Sequence, residues 1–268
     1  MTPPFAKVIL ARPVWRRPPG LRLAAALLGV LVQAALLLPA GAHAQAPATG
    51  FSPAQRQEIM GILRDALRED PTILRDALAA MEMAEQRDRD GQARAGIARN
   101  RAALVATATD PVRGNPQGAI TVVEFFDARC PYCKRMVPAL AELLRRNRDV
   151  RLVQKDLPIL GPNSQLASRA MLAAQRQGKY AEYHDALLST REDLTEPVLK
   201  REAEKLGLNW ARIRTDMELP DIRQRLDANL ALARDIGIDG TPAFVVGDRL
   251  VPGALDLAAL EQLVAAAR

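Results

Sequence analysis

Only two sulfur nucleophiles occur in this chain, and they stand one helical turn apart in Cys130-Pro131-Tyr132-Cys133. Two thiols at that spacing can close a disulfide, reopen it, or hand it to another dithiol. A structural staple is a poor use of the pair, because so short a loop gains little from closure. Zinc would need further ligands, and His43 and His184 are the only histidines. Two thiolates do suffice for copper(I), so a dithiol metal carrier stands as an alternative to thiol exchange. What favours exchange is location: the apolar run Ile120 to Phe126 precedes the motif and a helical pattern follows it, which puts Cys130 where a strand turns into a helix. The first amides of a helix lack intrahelical partners and carry the positive end of its dipole, so Cys130 should ionise below the free-cysteine range. Such a thiol attacks near neutral pH and leaves readily. Pro131 suits the first helical position, and Cys133 should be the more buried thiol.

Glu124 interrupts the run Val122-Val123-Glu124-Phe125-Phe126. A buried carboxylate is costly unless it is paired, protonated or hydrated. Lys155 ends the adjacent strand and is the expected partner; with water, such a pair would take and return the Cys133 proton. A plain ion pair or a strand-edge glutamate is the structural alternative. Thr241-Pro242 precedes a later strand, and spacing alone does not make that bond cis.

The elements that must hold these groups follow from periodicity. Ile120 to Phe126 reads as a buried strand. Cys130 to Arg146 reads as a helix with Met136, Val137, Leu140, Leu143 and Leu144 on one face and a kink at Pro138, and Val150 to Lys155 as a second strand, parallel to the first through a right-handed crossover. From Asn163 to Ile236 every signal is helical, with Asn163 and Asn209 as caps and Gly178, Gly207 and Gly237 as stops. Two strands then meet across Gly247-Asp248, and Asp256 caps a last helix. Before this domain, Ser52-Pro53 and Asp70-Pro71 each open a helix. Their stripes, Ile59, Ile62, Leu63, Ala66, Leu67 and Ile73, Leu74, Ala77, Leu78, Met81, precede a charge-dense stretch weakened by Gly91 and Gly96. These stripes must pack on the main domain or on other copies, and self-association is the favoured expectation. Pro111 to Gly118 reads as a linker.

Composition narrows the field further. The chain is 49% hydrophobic, 25% charged and 4% aromatic, which excludes a disordered or multi-span membrane protein. Its net charge of +6 resides in the first segment: five of the 37 basic residues precede residue 45, where no acidic residue occurs, so 32 face 31 in the remainder. Nucleic-acid binding is therefore not expected. That segment has a basic leader, the apolar run Leu23 to Leu38 and the small-residue site Ala42-His43-Ala44, the parts of a secretory signal cleaved after Ala44. The run is short for an anchor. Export would place the thiol pair in an oxidising compartment.

Glu-Phe-Phe-Asp-Ala-Arg-Cys-Pro-Tyr-Cys at 124 to 133, the helical insertion, and Gly-Thr-Pro-Ala-Phe at 240 to 244 together resemble the DsbA-like periplasmic branch of the thioredoxin superfamily. The resemblance implies an α/β thioredoxin fold over about 109–268, with a helical insertion at about 163–236; the helical arm (45–108) and the signal peptide (1–44) read from the residues precede it. It implies that Cys130 is the attacking and attacked sulfur and Cys133 the resolving one. Pro242 would be a cis-proline facing them, Thr241 would offer backbone hydrogen bonds to an extended client, and Pro131 and Tyr132 would line the client's path. Glu124 matches the family's buried acid, with Lys155 as its partner. No cofactor or metal is implied beyond the redox-active disulfide. Implied partners are cysteine-containing exported proteins and a membrane redox partner. Pro131-Tyr132 departs from the Pro-His of the archetypal oxidase, and the arm is similar to that of the suppressor-of-copper-sensitivity protein C group, whose members form trimers and shuffle disulfides. The branch favours an oxidase, whereas the arm favours an oligomeric isomerase.

Overall fold

The computed structural model describes residues 50–105 and 109–268, so the leader expected over 1–44 lies outside the described residues. The elements run α1 (Pro53–Glu69), α2 (Thr72–Arg99), α3 (Arg101–Val105), β1 (Val112–Gly114), β2 (Ile120–Phe126), α4 (Pro131–Arg146), β3 (Val150–Asp156), α5 (Pro162–Gln175), α6 (Tyr180–Ser189), α7 (Glu196–Lys205), α8 (Trp210–Asp216), α9 (Pro220–Ile236), β4 (Ala243–Val246), β5 (Arg249–Pro252) and α10 (Leu257–Ala266). They fall into two compact units, divided between Glu69 and Asp70.

The first unit carries α1. A reciprocal cap opens this helix: Gln55 N–H donates to Ser52 Oγ at 3.3 Å, and Ser52 N–H to Gln55 Oε1 at 2.9 Å. Ile59, Met60, Ile62 and Leu63 are exposed along it.

The second unit is a five-stranded sheet ordered β1-β3-β2-β4-β5, in which β2 and β3 are parallel and every other pairing is antiparallel. Because side chains alternate between faces, the sheet has two cores. Ile120, Val122, Val150, Leu152, Phe244 and Val246 pack under α4 and α10. Val123, Phe125, Val153 and Val245 pack under α9, with Ile97 of α2 and Leu104 of α3. A third core fills the insertion, α5 to α8, and reaches Phe126 and both cysteines.

The stop and cap signals lie where expected around the insertion: Gly237 is left-handed at φ 86° after α9, Asn209 accepts from Arg212 N–H at 3.0 Å, and Asp256 accepts from Ala259 N–H at 2.8 Å. Four details differ. Val112–Gly114, expected as linker, pairs with β3 as an edge strand too short to show a pattern. Asn163 does not cap α5; Gly161 holds that place, and Asn163 Nδ2 donates to Asp193 at 2.7 Å. Helix α2 runs through Gly91 and Gly96, and Gly96 is there for close approach: a Cβ would lie 2.5 Å from the Asp235 carbonyl oxygen of α9. Composition also assigns Ile97 and Leu104 to the arm, yet both are buried in the main unit. The start of α2, with Ile73, Leu74, Leu78, Met81 and Met83, is exposed.

Candidate active site

Cys130 is the N-cap of α4, extended at φ −66° and ψ 121°, with Pro131 at the first helical position. Asp127 builds the turn that delivers it. Its carbonyl accepts from Cys130 N–H at 3.0 Å. Its fully buried carboxylate accepts four bonds: from Arg129 N–H (2.8 Å) and Ser164 Oγ (2.8 Å) on Oδ1, and from Ile159 N–H (2.9 Å) and Leu160 N–H (3.0 Å) on Oδ2. Four donors satisfy this carboxylate, which has no ion-pair partner among the described residues. They also tie the cysteine turn to the β3–α5 loop, where Ile159 and Leu160 are exposed.

Across from the turn, the Thr241-Pro242 peptide is cis, and the Cys130 thiol, in its protonated form, donates to the Thr241 carbonyl at 3.2 Å. Pro242 O accepts from Gly253 N–H at 2.8 Å, so the end of β5 holds this corner in place. Both cysteines are reduced. Cys130 keeps 5% of its surface in solvent and Cys133 none, as the order in the motif implied. Tyr132 is exposed between them, with the Arg135 guanidinium 4.3 Å from its ring centre.

The electrostatics separate the two thiols. The Cys133 thiol hydrogen-bonds the Cys130 sulfur; although burial opposes charge, this bond, with the Cys133 and Tyr132 backbone amides and the Thr241 side chain, pulls Cys130 down to about 5. Cys133 moves the other way: its bond to Cys130 and its burial push it up, and the nearby Glu124 charge adds to this. One sulfur is a thiolate at neutral pH while the other keeps its proton.

Glu124 is 1% exposed and lifted to about 7, mainly by burial. The partner expected for it is not the one found. In the β2–β3 register Glu124 stands beside Gln154, and Lys155 beside Phe125, so the lysine projects from the opposite face of the sheet. Gln154 Nε2 donates to Glu124 Oε2 at 3.1 Å. Lys155 is ion-paired with Asp110 and donates to the Ala103 carbonyl at 2.7 Å. The structure thus brings together Cys130, Pro131, Tyr132, Cys133, Thr241, Pro242 and Glu124, and it sets Lys155 apart. Gln154 and Asp127 were not singled out from sequence. Counting parity along two in-register parallel strands identifies Gln154, whereas nothing local marks Asp127, whose donors lie up to 37 residues away.

Such an arrangement, one ionised and slightly exposed sulfur backed by a protonated buried one beside a carboxylate, is suited to receiving and passing on disulfides. Comparison with known proteins agrees. The DSBA-like thioredoxin domain pattern matches residues 121–265. A thioredoxin-like oxidoreductase from Silicibacter pomeroyi superposes with a TM-score of 0.62 at 43% identity, covering 63% of this chain and 98% of that one. ScsC of Proteus mirabilis, in a transitional conformation, gives 0.60 at 31% identity over 81% of this chain and 98% of its own. The thiol-disulfide exchange protein alpha-DsbA2 of Wolbachia pipientis gives 0.64 at 26%, over 68% and 98%. A Na(+)/H(+) antiporter, NhaA 3 of Salinispora tropica, is 36% identical over 160 residues, which are 59% of this chain and 24% of the antiporter. The chain thus spans about a quarter of the length of the curated relatives it matches, and among its described residues no helix is long and apolar enough to cross a membrane. With the thiol pair, the cis corner and the helical insertion all in place, the chain belongs to the DSBA-like thioredoxin domain family and is a thiol-disulfide oxidoreductase.

Proposed function

We propose that this protein is a periplasmic oxidase that gives the Cys130–Cys133 disulfide to exported proteins. The single observation that carries the direction is the thiolate at Cys130. Ionisation near 5 stabilises the reduced protein at neutral pH, and a stabilised reduced form is what makes a disulfide oxidising. A client thiolate attacks Cys130 Sγ, and the Sγ130–Sγ133 bond breaks onto Cys133, which takes a proton from Glu124. A second client thiolate then attacks the client sulfur of the mixed disulfide, and Cys130 leaves as a thiolate. The client is oxidised by two electrons and the Cys130/Cys133 pair is reduced. Tyr132, Pro131, Thr241 and Pro242 line the approach, and a membrane partner restores the disulfide. Lys155, bonded on the opposite face, acts on stability and not on proton transfer.

The test is the reduction potential against glutathione. A value near those of strong oxidants, about −120 to −180 mV, supports the reading, and one near about −270 mV, in the reductant range, overturns it.

One observation favours a second reading, an oligomeric isomerase: α1 and the start of α2 each leave a row of large apolar side chains exposed, as a self-associating arm would. Because Ile97 and Leu104 belong to the core, point changes test this better than deletion of 45–108. Ile62→Glu with Leu78→Glu should reduce the mass in solution and abolish repair of scrambled disulfides while sparing oxidation of a reduced client. An unchanged mass removes this reading.

A further inference from the structure

The polar chain that begins at Glu124 continues through the insertion to the surface. Gln154 Nε2 lies 3.1 Å from Glu124 Oε2 and 3.0 Å from His184 Nε2. His184 Nδ1 lies 2.8 Å from Asp185 Oδ1, and Arg113 donates to both Asp185 oxygens at 2.8 and 2.7 Å. The links come from β2, β3, α6 and β1. Glu124, Gln154 and His184 are each 1% exposed, whereas Arg113 and Asp185 are only partly covered.

The donors and acceptors in this chain have one consistent assignment. Burial works against charge on Asp185, but His184 and Arg113 outweigh it, so Asp185 is ionised and can only accept. His184 Nδ1 must therefore donate. Burial keeps the ring neutral, which leaves its Nε2 as an acceptor. Gln154 sits between that nitrogen and a carboxylate, and only its –NH2 satisfies both. The consequence shows at the other end of the amide: Gln154 Oε1 is buried and has no hydrogen-bond partner among the described residues. An orphaned acceptor is unfavourable, so the orientation is imposed by the neighbours and not chosen by the glutamine.

We propose that His184 is a positioning residue for disulfide exchange: backed by Asp185 and Arg113, it holds the Gln154 amide with its N–H groups toward Glu124, which favours the ionised form of that carboxylate, the form able to accept the Cys133 proton. The proposal rests on the reading of Glu124 given above as the proton donor to Cys133; in the reverse, resolving direction the same carboxylate accepts that proton. In the resolving step Cys133 gives its proton to Glu124, its sulfur bonds to Cys130 Sγ, and the bond from Cys130 to the client sulfur breaks, with the client leaving as a thiolate. Without the His184 acceptor, Gln154 is free to turn Oε1 toward Glu124. A carboxyl group facing a carbonyl oxygen favours its protonated form, and the proton acceptor is then already occupied. The groups that set the charge on Glu124 are Cys133 from α4, Gln154 and Asp156 from β3, Arg113 from β1, and Tyr180 and Asp185 from α6, while Phe244 stands opposite it on β4.

The experiment mixes the full reduced protein with glutathione disulfide, quenches in acid, and separates the mixed disulfide from the internal one by mass, over about pH 5 to 9. His184→Phe keeps an aromatic ring against Phe126 and Tyr180, now 4.8 and 5.9 Å away between centres, but removes the acceptor. It should move the midpoint of the resolving step up by about one pH unit, slow the step about tenfold below that midpoint, and recover the full rate in alkali. His184→Gln, which restores an acceptor, should return most of the difference. Asp185→Asn, at a partly exposed position, releases the ring tautomer and should also shift the midpoint up; because the Asp185 charge itself raises Glu124, its direct loss would move the midpoint down, so an upward shift reports the tautomer. This variant decides the matter if His184→Phe does not fold. Profiles that coincide with the unmodified protein in both variants overturn the proposal. Glu124→Gln separates the two layers: if it flattens the profile while His184 and Asp185 variants leave it alone, only the clamp fails, and if it too has no effect, the reading of Glu124 as proton acceptor fails.

Discussion

The bond from the Cys133 thiol is the largest influence on the Cys130 thiolate, and it is removable. A hydrogen bond to a charged group is worth about 1.5–3 kcal/mol, and each 1.4 kcal/mol is one pKa unit, so its loss should move the Cys130 midpoint from about 5 up by about one to two units. Cys133→Ala removes the donor, while Cys133→Ser keeps a hydroxyl donor of similar reach. Ultraviolet thiolate absorbance, checked by the pH dependence of alkylation by iodoacetamide, reads the midpoint of the single remaining thiol. The alanine variant should titrate higher, between about 6 and 7, and the serine variant near the unmodified protein. The reasoning is refuted if alanine and serine variants titrate alike, or if the unmodified protein already titrates near about 8.5, as an ordinary cysteine does.

Other outcomes follow from the same geometry. Cys130 in the folded, reduced protein ionises near 5, below the unfolded value of about 8.5, so its stabilisation is full above the unfolded value and is lost as pH falls through 5. Calorimetry should therefore find the thermal midpoint of the reduced protein, relative to the oxidised one, falling from pH 8.5 toward about 5 and level below it; a pH-independent difference counts against this. Glu124 behaves oppositely, because its folded value near 7 lies above the unfolded value of about 4.3. Its penalty is absent below about 4.3 and complete above about 7, so Glu124→Leu should stabilise the protein at pH 8 by up to about 3 kcal/mol, less the cost of orphaning the Gln154 donor, and not at pH 4. Urea unfolding at the two pH values checks the sign. Asp110→Asn breaks the buried pair with Lys155 and should cost about 3 kcal/mol while leaving the Cys130 titration unmoved, since that pair lies on the other face of the sheet.

The sequence made the reactive pair legible because its chemistry and its position declare themselves locally: Cys130 stands at a helix start that Pro131 marks, Gly207, Gly237 and Asn209 punctuate the insertion, and Asp256 opens the last helix, all through backbone rules that act within a few residues. What it hid was set by tertiary partners. Glu124 is recognisable as a buried acid, but the nearness of Lys155 along the strand misleads, because alternation places the two on opposite faces. Gly96 resembles a helix breaker until the backbone of α9 is seen against it. The edge strand at Val112 has no periodicity of its own and exists because β3 offers unpaired groups beside it.

The Asp127 carboxylate has a consequence for how the molecule yields. Amide protons of Arg129 on one side and of Ile159 and Leu160 on the other terminate on the same two oxygens, so neither stretch can fluctuate open without stranding part of a buried carboxylate. The catalytic turn and the distant loop beside it should therefore behave as one foldon, opening in concert although far apart along the chain, and hydrogen exchange at the three sites is expected to share a single free energy.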